Sequence, residues 1–152
     1  MENDLKLLVQ TRQNILKSIE NLTLNQLNTV PNGYTNSIFW NAAHVVVTQQ
    51  LLIYFLSENE MYCSKDLINK YKKGTKFESK ATKEEILEVK ELLVETPTLL
   101  KNDYKKGKFK NYKEYPTSYG FTLNSIEDAI KFNNVHEALY FGYIMAMKKN
   151  LM

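Results

Sequence analysis

Cysteine is nearly absent from the sequence, which narrows the chemistry that the chain can carry. The single thiol, Cys63, cannot form a disulfide within one chain, and this suits a reducing compartment such as the cytosol. Its neighbours Tyr62 and Ser64 provide neither a base nor a metal partner. We therefore predict a passive loop thiol rather than a nucleophile.

Arginine is equally scarce. Arg12 is the only arginine, although the net charge is +3. Specific nucleic-acid contacts rely on arginine for bidentate hydrogen bonds to bases, so this shortage argues against a nucleic-acid partner. The lysines cluster at 70–73 and 105–108, but acidic residues lie between the two clusters. We interpret the positive charge as solvated surface.

Long apolar runs are missing as well. No run approaches the roughly 20 apolar residues that a membrane-spanning helix needs, so no membrane partner is expected. The first four residues include acidic side chains where a signal peptide has basic ones, and no long apolar core follows them. The sequence therefore predicts a soluble, cytoplasmic protein.

What the sequence does contain is enough material for one core. The chain has 152 residues, of which 43% are hydrophobic and 24% are charged, a composition typical of globular domains. We predict a single domain that spans residues 1–152.

Apolar residues recur at helical spacing in four long segments, and none reads as a sustained strand. Residues 23–26 and 82–85 have the form of capping boxes, which mark helix starts. The second long segment is apolar on more than one side, which indicates a central helix or one that a partner also covers. We predict an all-α four-helix bundle with helices near 3–21, 37–57, 82–106 and 124–149.

Two long connections separate these helices. Residues 57–81 contain a possible short helix near Lys65 to Lys72, and a crossing of this length lets neighbouring helices run parallel. Residues 107–123 are rich in aromatic side chains, so we expect this loop to fold over one end of the bundle as a lid or pocket wall.

The only two histidines, His44 and His136, both fall in the middle of apolar helices. A lone histidine on such a helix is more often a hydrogen-bonded core residue than a ligand, but two on helices that share one core predict a polar pocket. On the last helix, helical spacing predicts an inward stripe of Ile126, Ala129, Ile130, Asn133, His136, Tyr140, Tyr143 and Met147. We expect the pocket to contain Trp40, Asn133 and Tyr140 beside the two histidines.

Two motifs resemble the DinB-like family. The segment from Asn36 to Leu51 contains Trp40-x-x-x-His44, which is similar to the second-helix segment of that family. The segment Asn133-Asn-Val-His136-Glu-Ala-Leu-Tyr140-Phe-Gly142 resembles the fourth-helix segment, which usually reads His-x-x-x-His followed by a small residue. The resemblance covers essentially the whole chain. It implies an up-down-down-up bundle, often a homodimer, in which three histidines hold a divalent metal.

The chain departs from this family pattern at one ligand position. His44 and His136 match the first two metal ligands, but Tyr140 stands where the third histidine is expected. Catalytic zinc sites generally use three protein ligands, and a phenol, with a pKa near 10, is a poor ligand at neutral pH. Glu137 is a conceivable substitute, although helical geometry directs it about 100° away from His136. A divalent metal (zinc, nickel or iron) is thus possible, but a metal-poor pocket is the expectation.

Two functions are compatible with this sequence. The resemblance implies either a non-catalytic or weakly metal-binding protein that binds a small molecule in a stress response, or a metal-dependent hydrolase or thiol S-transferase that uses His44 and His136. The missing third histidine favours the first. Neither the substrate nor the catalytic residues follow from the sequence. A homodimer through the first two helices is also predicted, because the second helix has more apolar faces than one bundle needs.

Overall fold

The computed structural model describes residues 1–151 and is mostly helical. Its elements are α1 (Glu2–Ile19), α2 (Leu24–Asn28), α3 (Ile38–Gln49), a π-helical segment (Gln50–Phe55), α4 (Lys65–Tyr71), α5 (Lys83–Lys105), β1 (Tyr115–Pro116), β2 (Thr122–Leu123) and α6 (Ile126–Lys149). The two strands form one short antiparallel pair inside the aromatic loop. The all-α prediction is confirmed, and the four long helices lie within a few residues of their predicted bounds.

Side-chain caps explain where the helices begin. Ser37 accepts a hydrogen bond from the backbone of the first turn of α3, and Ser125 does the same for α6. At α2 the predicted capping box is complete, because Thr23 and Gln26 bond reciprocally to each other's backbone N–H groups.

The capping box predicted for α5 is only half present. The Thr82 hydroxyl accepts from the backbone N–H of Glu85, at 3.2 Å. The Glu85 carboxylate instead accepts from Lys70 Nζ at 2.9 Å and from the Tyr71 hydroxyl at 2.6 Å. Glu85 thereby ties α4 to the start of α5, because a lysine and a phenol outcompete a single backbone amide for its carboxylate.

Contacts between the helices give their directions. Between α1 and α6 the paired residues advance together: Asp4 with Asn134, Arg12 with Glu137, and Ser18 with Met145. Between α3 and α6 they advance in opposite directions: Asn41 with Met147, and His44 with His136. The paired residues advance together again between α5 and the helix formed by α3 and the π segment. These pairs are Gln49 with Thr96, and Tyr54 with Asp103. The bundle is therefore up-down-down-up in chain order.

A layer of buried polar side chains separates two apolar clusters. One cluster gathers the end of α1, most of α3 and the end of α6, and the other gathers the start of α1, the π segment and the start of α6. The residues between them are each 0% exposed, and we call them the polar layer: Arg12, Gln49, Thr96, Asn133 and Glu137. Bulk solvent does not reach side chains that are 0% exposed, so these residues hydrogen-bond mainly to one another.

The apolar breadth of α3 is explained by burial within one chain. Every residue of Ile38–Gln49 except Thr48 is buried. By length and composition alone, Ile38–Phe55 could cross a membrane, but 83% of that window is buried inside the bundle, as expected for a core helix. The helix therefore requires no partner to cover it, and a homodimer stays a prediction that sedimentation can test.

Candidate functional site

Two facing helices bring His44, His136 and Tyr140 together, and we call these residues the ring cluster. His44 lies on α3, while His136 and Tyr140 lie one helical turn apart on α6. The centroids of the two imidazoles are 5.2 Å apart, and the centroid of the Tyr140 ring lies 4.6 Å from each. The two histidines thus face each other across the bundle beside Tyr140.

Hydrogen bonding sets the tautomer of His44, which is only 2% exposed. Its Nδ1 lies 2.6 Å from the backbone carbonyl oxygen of Tyr71. Because a carbonyl oxygen only accepts, Nδ1 carries the proton and donates it, and in the neutral ring Nε2 holds a lone pair. The Thr48 hydroxyl lies 3.3 Å from Nε2. Trp40 stacks on the imidazole with centroids 4.8 Å apart, so the ring is held in place.

Polar atoms around the ring cluster lack partners. Within residues 1–151, His136 Nδ1 and Trp40 Nε1 are buried and make no hydrogen bond. Tyr140 is half-buried beside them, and no hydrogen bond is among the causes of its raised pKa. An unsatisfied buried group costs about 1–3 kcal/mol, so a ligand that supplied a partner would gain affinity.

A cavity of about 330 Å³ opens beside the ring cluster. Apolar side chains of the π segment form one part of its wall, including Leu51, Leu52 and Phe55. The aromatic loop 107–123 supplies another part through Tyr115, Thr117 and Ser118. The volume and the mixed lining are typical of small-molecule sites.

Two further concavities lie nearby. A cleft of about 300 Å³ shares His44, Lys73 and Tyr140 with the first cavity and includes Trp40 in its lining. A larger concavity, about 500 Å³, lies against α4 and contains neither histidine. We place the candidate site at the 330 Å³ cavity, because it combines all three residues of the ring cluster with an apolar wall.

The ring cluster is uncharged at neutral pH. Burial, followed by the neighbouring His44, Arg12 and Lys73, lowers the pKa of His136 to about 3. Burial also lowers the pKa of His44, although the hydrogen bond to the Tyr71 carbonyl opposes this shift. Burial raises the pKa of Tyr140, with a smaller contribution from Tyr143, so the phenol keeps its proton.

The inward face of α6 differs from the predicted stripe. Its buried residues are Ile126, Ala129, Ile130, Asn133, Glu137, Ile144 and Met147. His136 and Tyr140 are half-buried at the edge of this face, and Tyr143 is 53% exposed. Asn133 is corrected from a pocket residue to a member of the polar layer, because its Nδ2 donates to Glu137 Oε2 at 2.6 Å. Trp40 backs His44 and lines the smaller cleft.

The buried ion pair between Arg12 and Glu137, which determines the face of α6 that points inward, was not predicted from the sequence. Arg12 donates from Nε and Nη2 to the two carboxylate oxygens of Glu137, at 2.6 and 3.2 Å, and from Nη1 to Thr96 Oγ1 at 2.9 Å. Glu137 is therefore engaged in the core and cannot substitute for a metal ligand. A signal was present, because Arg12 interrupts an apolar stripe of Leu5, Leu8, Ile15 and Ile19 and needs an anion there.

The donors at the site do not match a three-ligand metal centre. Among residues 1–151, no three His, Cys, Asp or Glu side chains lie close enough to share a metal ion. The third position near the two imidazoles is a phenol that keeps its proton. A zinc ion would thus have two good ligands where catalytic sites use three.

Cys63 offers no alternative chemistry. Burial, followed by the nearby Glu88 carboxylate, raises the pKa of its thiol to about 11. A thiol with such a pKa is protonated at neutral pH and is a weak nucleophile. The passive role that we predicted for Cys63 agrees with this environment.

The sequence matches one family model in a comparison with known proteins. The model described as the DinB superfamily matches residues 7–144, which includes all of α3, the ring cluster and most of α6. A search of curated proteins found no match.

Proposed function

The chain belongs to the DinB superfamily, and on this basis we propose that it is a small-molecule-binding member whose pocket has lost a metal ligand. The observation that carries the proposal is the ring cluster, in which two neutral imidazoles and one protonated phenol stand beside a 330 Å³ cavity. We propose a role in a cytoplasmic stress response rather than in catalysis.

Loss of a ligand is expected to weaken metal binding strongly. Structural zinc sites gain roughly 10–16 kcal/mol from a full set of ligands, so removal of one costs several kcal/mol. Lys73, which lines the same cavity, adds a positive charge that opposes a second cation. The residues at this site therefore favour a neutral or anionic guest over a divalent metal.

The alternative function is a metal-dependent hydrolase or thiol S-transferase with the metal at His44 and His136. One observation supports it. A metal-binding histidine usually donates its other ring N–H to a backbone carbonyl or carboxylate, and His44 does so to Tyr71. The same hydrogen bond also suits a histidine that only accepts from a ligand.

Metal content separates the two functions. The untagged protein would be expressed in medium supplemented with zinc, nickel and iron, purified without chelator, and analysed by inductively coupled plasma mass spectrometry. We expect far less than one metal ion per chain, because only two imidazoles are available. His44→Ala serves as the matched control for any metal that binds to the surface.

A stoichiometric metal in the native protein that is absent from His44→Ala would contradict the proposal and favour the enzyme. A low metal content that is equal in both proteins would support the metal-poor pocket, since it would show that the trace is adventitious.

A further inference from the structure

We infer that the ligand of the 330 Å³ cavity is an amphiphile with a carboxylate head at the ring cluster and a short apolar body against the π segment. This inference rests on the proposed small-molecule function and deepens it by naming the ligand class. It follows from the arrangement of polarity along the cavity, from its charge, and from its unpartnered hydrogen-bonding groups.

The wall contributed by α3 and the π segment changes from polar to apolar along its length. His44 and Thr48 come first, and Leu51, Leu52 and Phe55 follow in the same cavity. The eight residue-to-residue steps from His44 to Leu52 span about 12 Å at α-helical rise. This distance matches an extended chain of about eight carbon atoms with its head group.

The wall contributed by α6 shows the same change in the same direction. Tyr140 and His136 lie beside His44, and Phe132 follows one turn earlier in the sequence. Because α6 runs antiparallel to α3, the polar residues of both helices meet at one end and their apolar residues meet at the other. Two independent helices thus define one polar end and one apolar end.

The charge of the cavity favours an anion. Its lining, drawn from residues 1–151, includes no Asp or Glu, and Lys73 is its one charged residue. Lys73 takes part in none of the ion pairs formed within these residues. A carboxylate placed at the ring cluster would therefore find a cation that is not already paired.

Hydrogen-bonding groups at the polar end also lack partners. Within residues 1–151, the buried His136 Nδ1 has no partner. The Tyr140 hydroxyl lies on the same helix, lines the same cavity and can donate a hydrogen bond. A carboxylate oxygen can accept from the Tyr140 hydroxyl, and from His136 Nδ1 in the tautomer that carries its proton there.

The apolar end is open and lacks a cover. Phe55 is 61% exposed although it lines the cavity, so its ring meets water on one side. Apolar surface of this kind gains roughly 25 cal/mol for each Å² that a ligand covers. The π-helical geometry of Gln50–Phe55 is itself common at ligand sites, where it redirects side chains from their helical positions.

Calorimetric titration with three probes of equal chain length tests the inference. Octanoate, octanol and octylamine differ only in the head group. We expect octanoate to bind at least about fivefold more tightly than octanol, because hydrogen bonds to a charged acceptor are stronger than those to a neutral one. We expect octylamine to bind most weakly, since its head meets Lys73.

Two variants assign the head and the body of the ligand. Lys73→Gln should weaken octanoate binding about fivefold and leave octanol binding unchanged, while Lys72→Gln, an exposed neighbour, should change neither. Phe55→Ser should weaken both octanoate and octanol by a similar factor. Circular dichroism and thermal unfolding would confirm that each variant folds.

Octanol binding as tight as octanoate binding would overturn the carboxylate head while leaving the small-molecule pocket intact. Equal losses in Lys73→Gln and Lys72→Gln would overturn direct contact with Lys73, because they would report only the overall charge. If none of the three probes gave a binding signal in calorimetry, the proposed ligand class would be overturned. The proposed function would then be decided separately by the metal analysis.

Discussion

The buried pair Arg12 and Glu137 should respond unequally to loss of either partner. Glu137→Leu keeps the approximate volume but leaves the guanidinium buried, charged and without its two carboxylate hydrogen bonds. An arginine cannot release its proton, so the cost should reach about 3–5 kcal/mol of unfolding free energy. Hydrogen bonds to Thr96 Oγ1 and the Leu93 carbonyl remain but do not neutralise the charge.

Arg12→Met should cost less, because Glu137 can take up a proton. Burial already raises the pKa of Glu137, and Arg12 is the largest influence that lowers it. Without Arg12 that pKa rises further, so the neutral acid persists and still accepts from Asn133. A raised folded-state pKa stabilises the fold at low pH and loses that contribution as pH rises, so Arg12→Met should be relatively less stable at pH 8 than at pH 5.

Urea unfolding followed by circular dichroism measures these differences. The double variant Arg12→Met/Glu137→Leu should recover at least about 2 kcal/mol relative to the sum of the single losses, because it removes both buried charges. Glu91→Gln, an exposed control on α5, should change stability by less than about 0.5 kcal/mol. A Glu137→Leu loss below about 1 kcal/mol, or single losses that simply add, would refute this account of the polar layer.

Two other outcomes follow from the site and its surroundings. The pKa of His136 falls from 6.5 to about 3 on folding, so protonation in the unfolded state destabilises the native protein as the pH falls from 7 to 5. Over this range the native protein should lose about 2 kcal/mol more stability than His136→Gln. Parallel pH profiles of the two proteins would contradict this. Asp103 accepts hydrogen bonds from Tyr54 and Tyr62. Asp103→Ala should therefore lower the free energy of unfolding in urea by about 1–3 kcal/mol. A loss as small as that of Glu91→Gln would show that these hydrogen bonds contribute little to stability.

The long helices were predictable because their information is local. Apolar spacing and capping residues such as Ser37 and Ser125 lie within each helix and need no partner to be read. The histidine pair was predictable for a similar reason, since two isolated imidazoles on core helices have one interior to share. The resemblance then added the helix directions.

The rotation of α6 was not predictable from its own residues. Asn133, His136, Glu137 and Tyr140 are all polar, so two phases of the helix bury a similar set of apolar residues. Arg12 selects the phase that buries Glu137, and it lies 125 residues away in sequence.

The π-helical geometry of Gln50–Phe55 was also not predictable from the local sequence. Gln50 accepts from the backbone of Tyr62 across the chain, a tertiary contact that apolar spacing does not encode.

Zinc binding by Tyr140→His tests the central claim most directly, namely that the pocket is a metal site reduced by one ligand. The variant would place a third imidazole one helical turn from His136 and opposite His44. Calorimetry should show zinc affinity at least about a hundredfold above that of the native protein, equivalent to ~2.7 kcal/mol, and His44→Ala should abolish the gain. Equal, weak binding by the native protein and the variant would contradict the claim, because the two histidines would then be ordinary core residues.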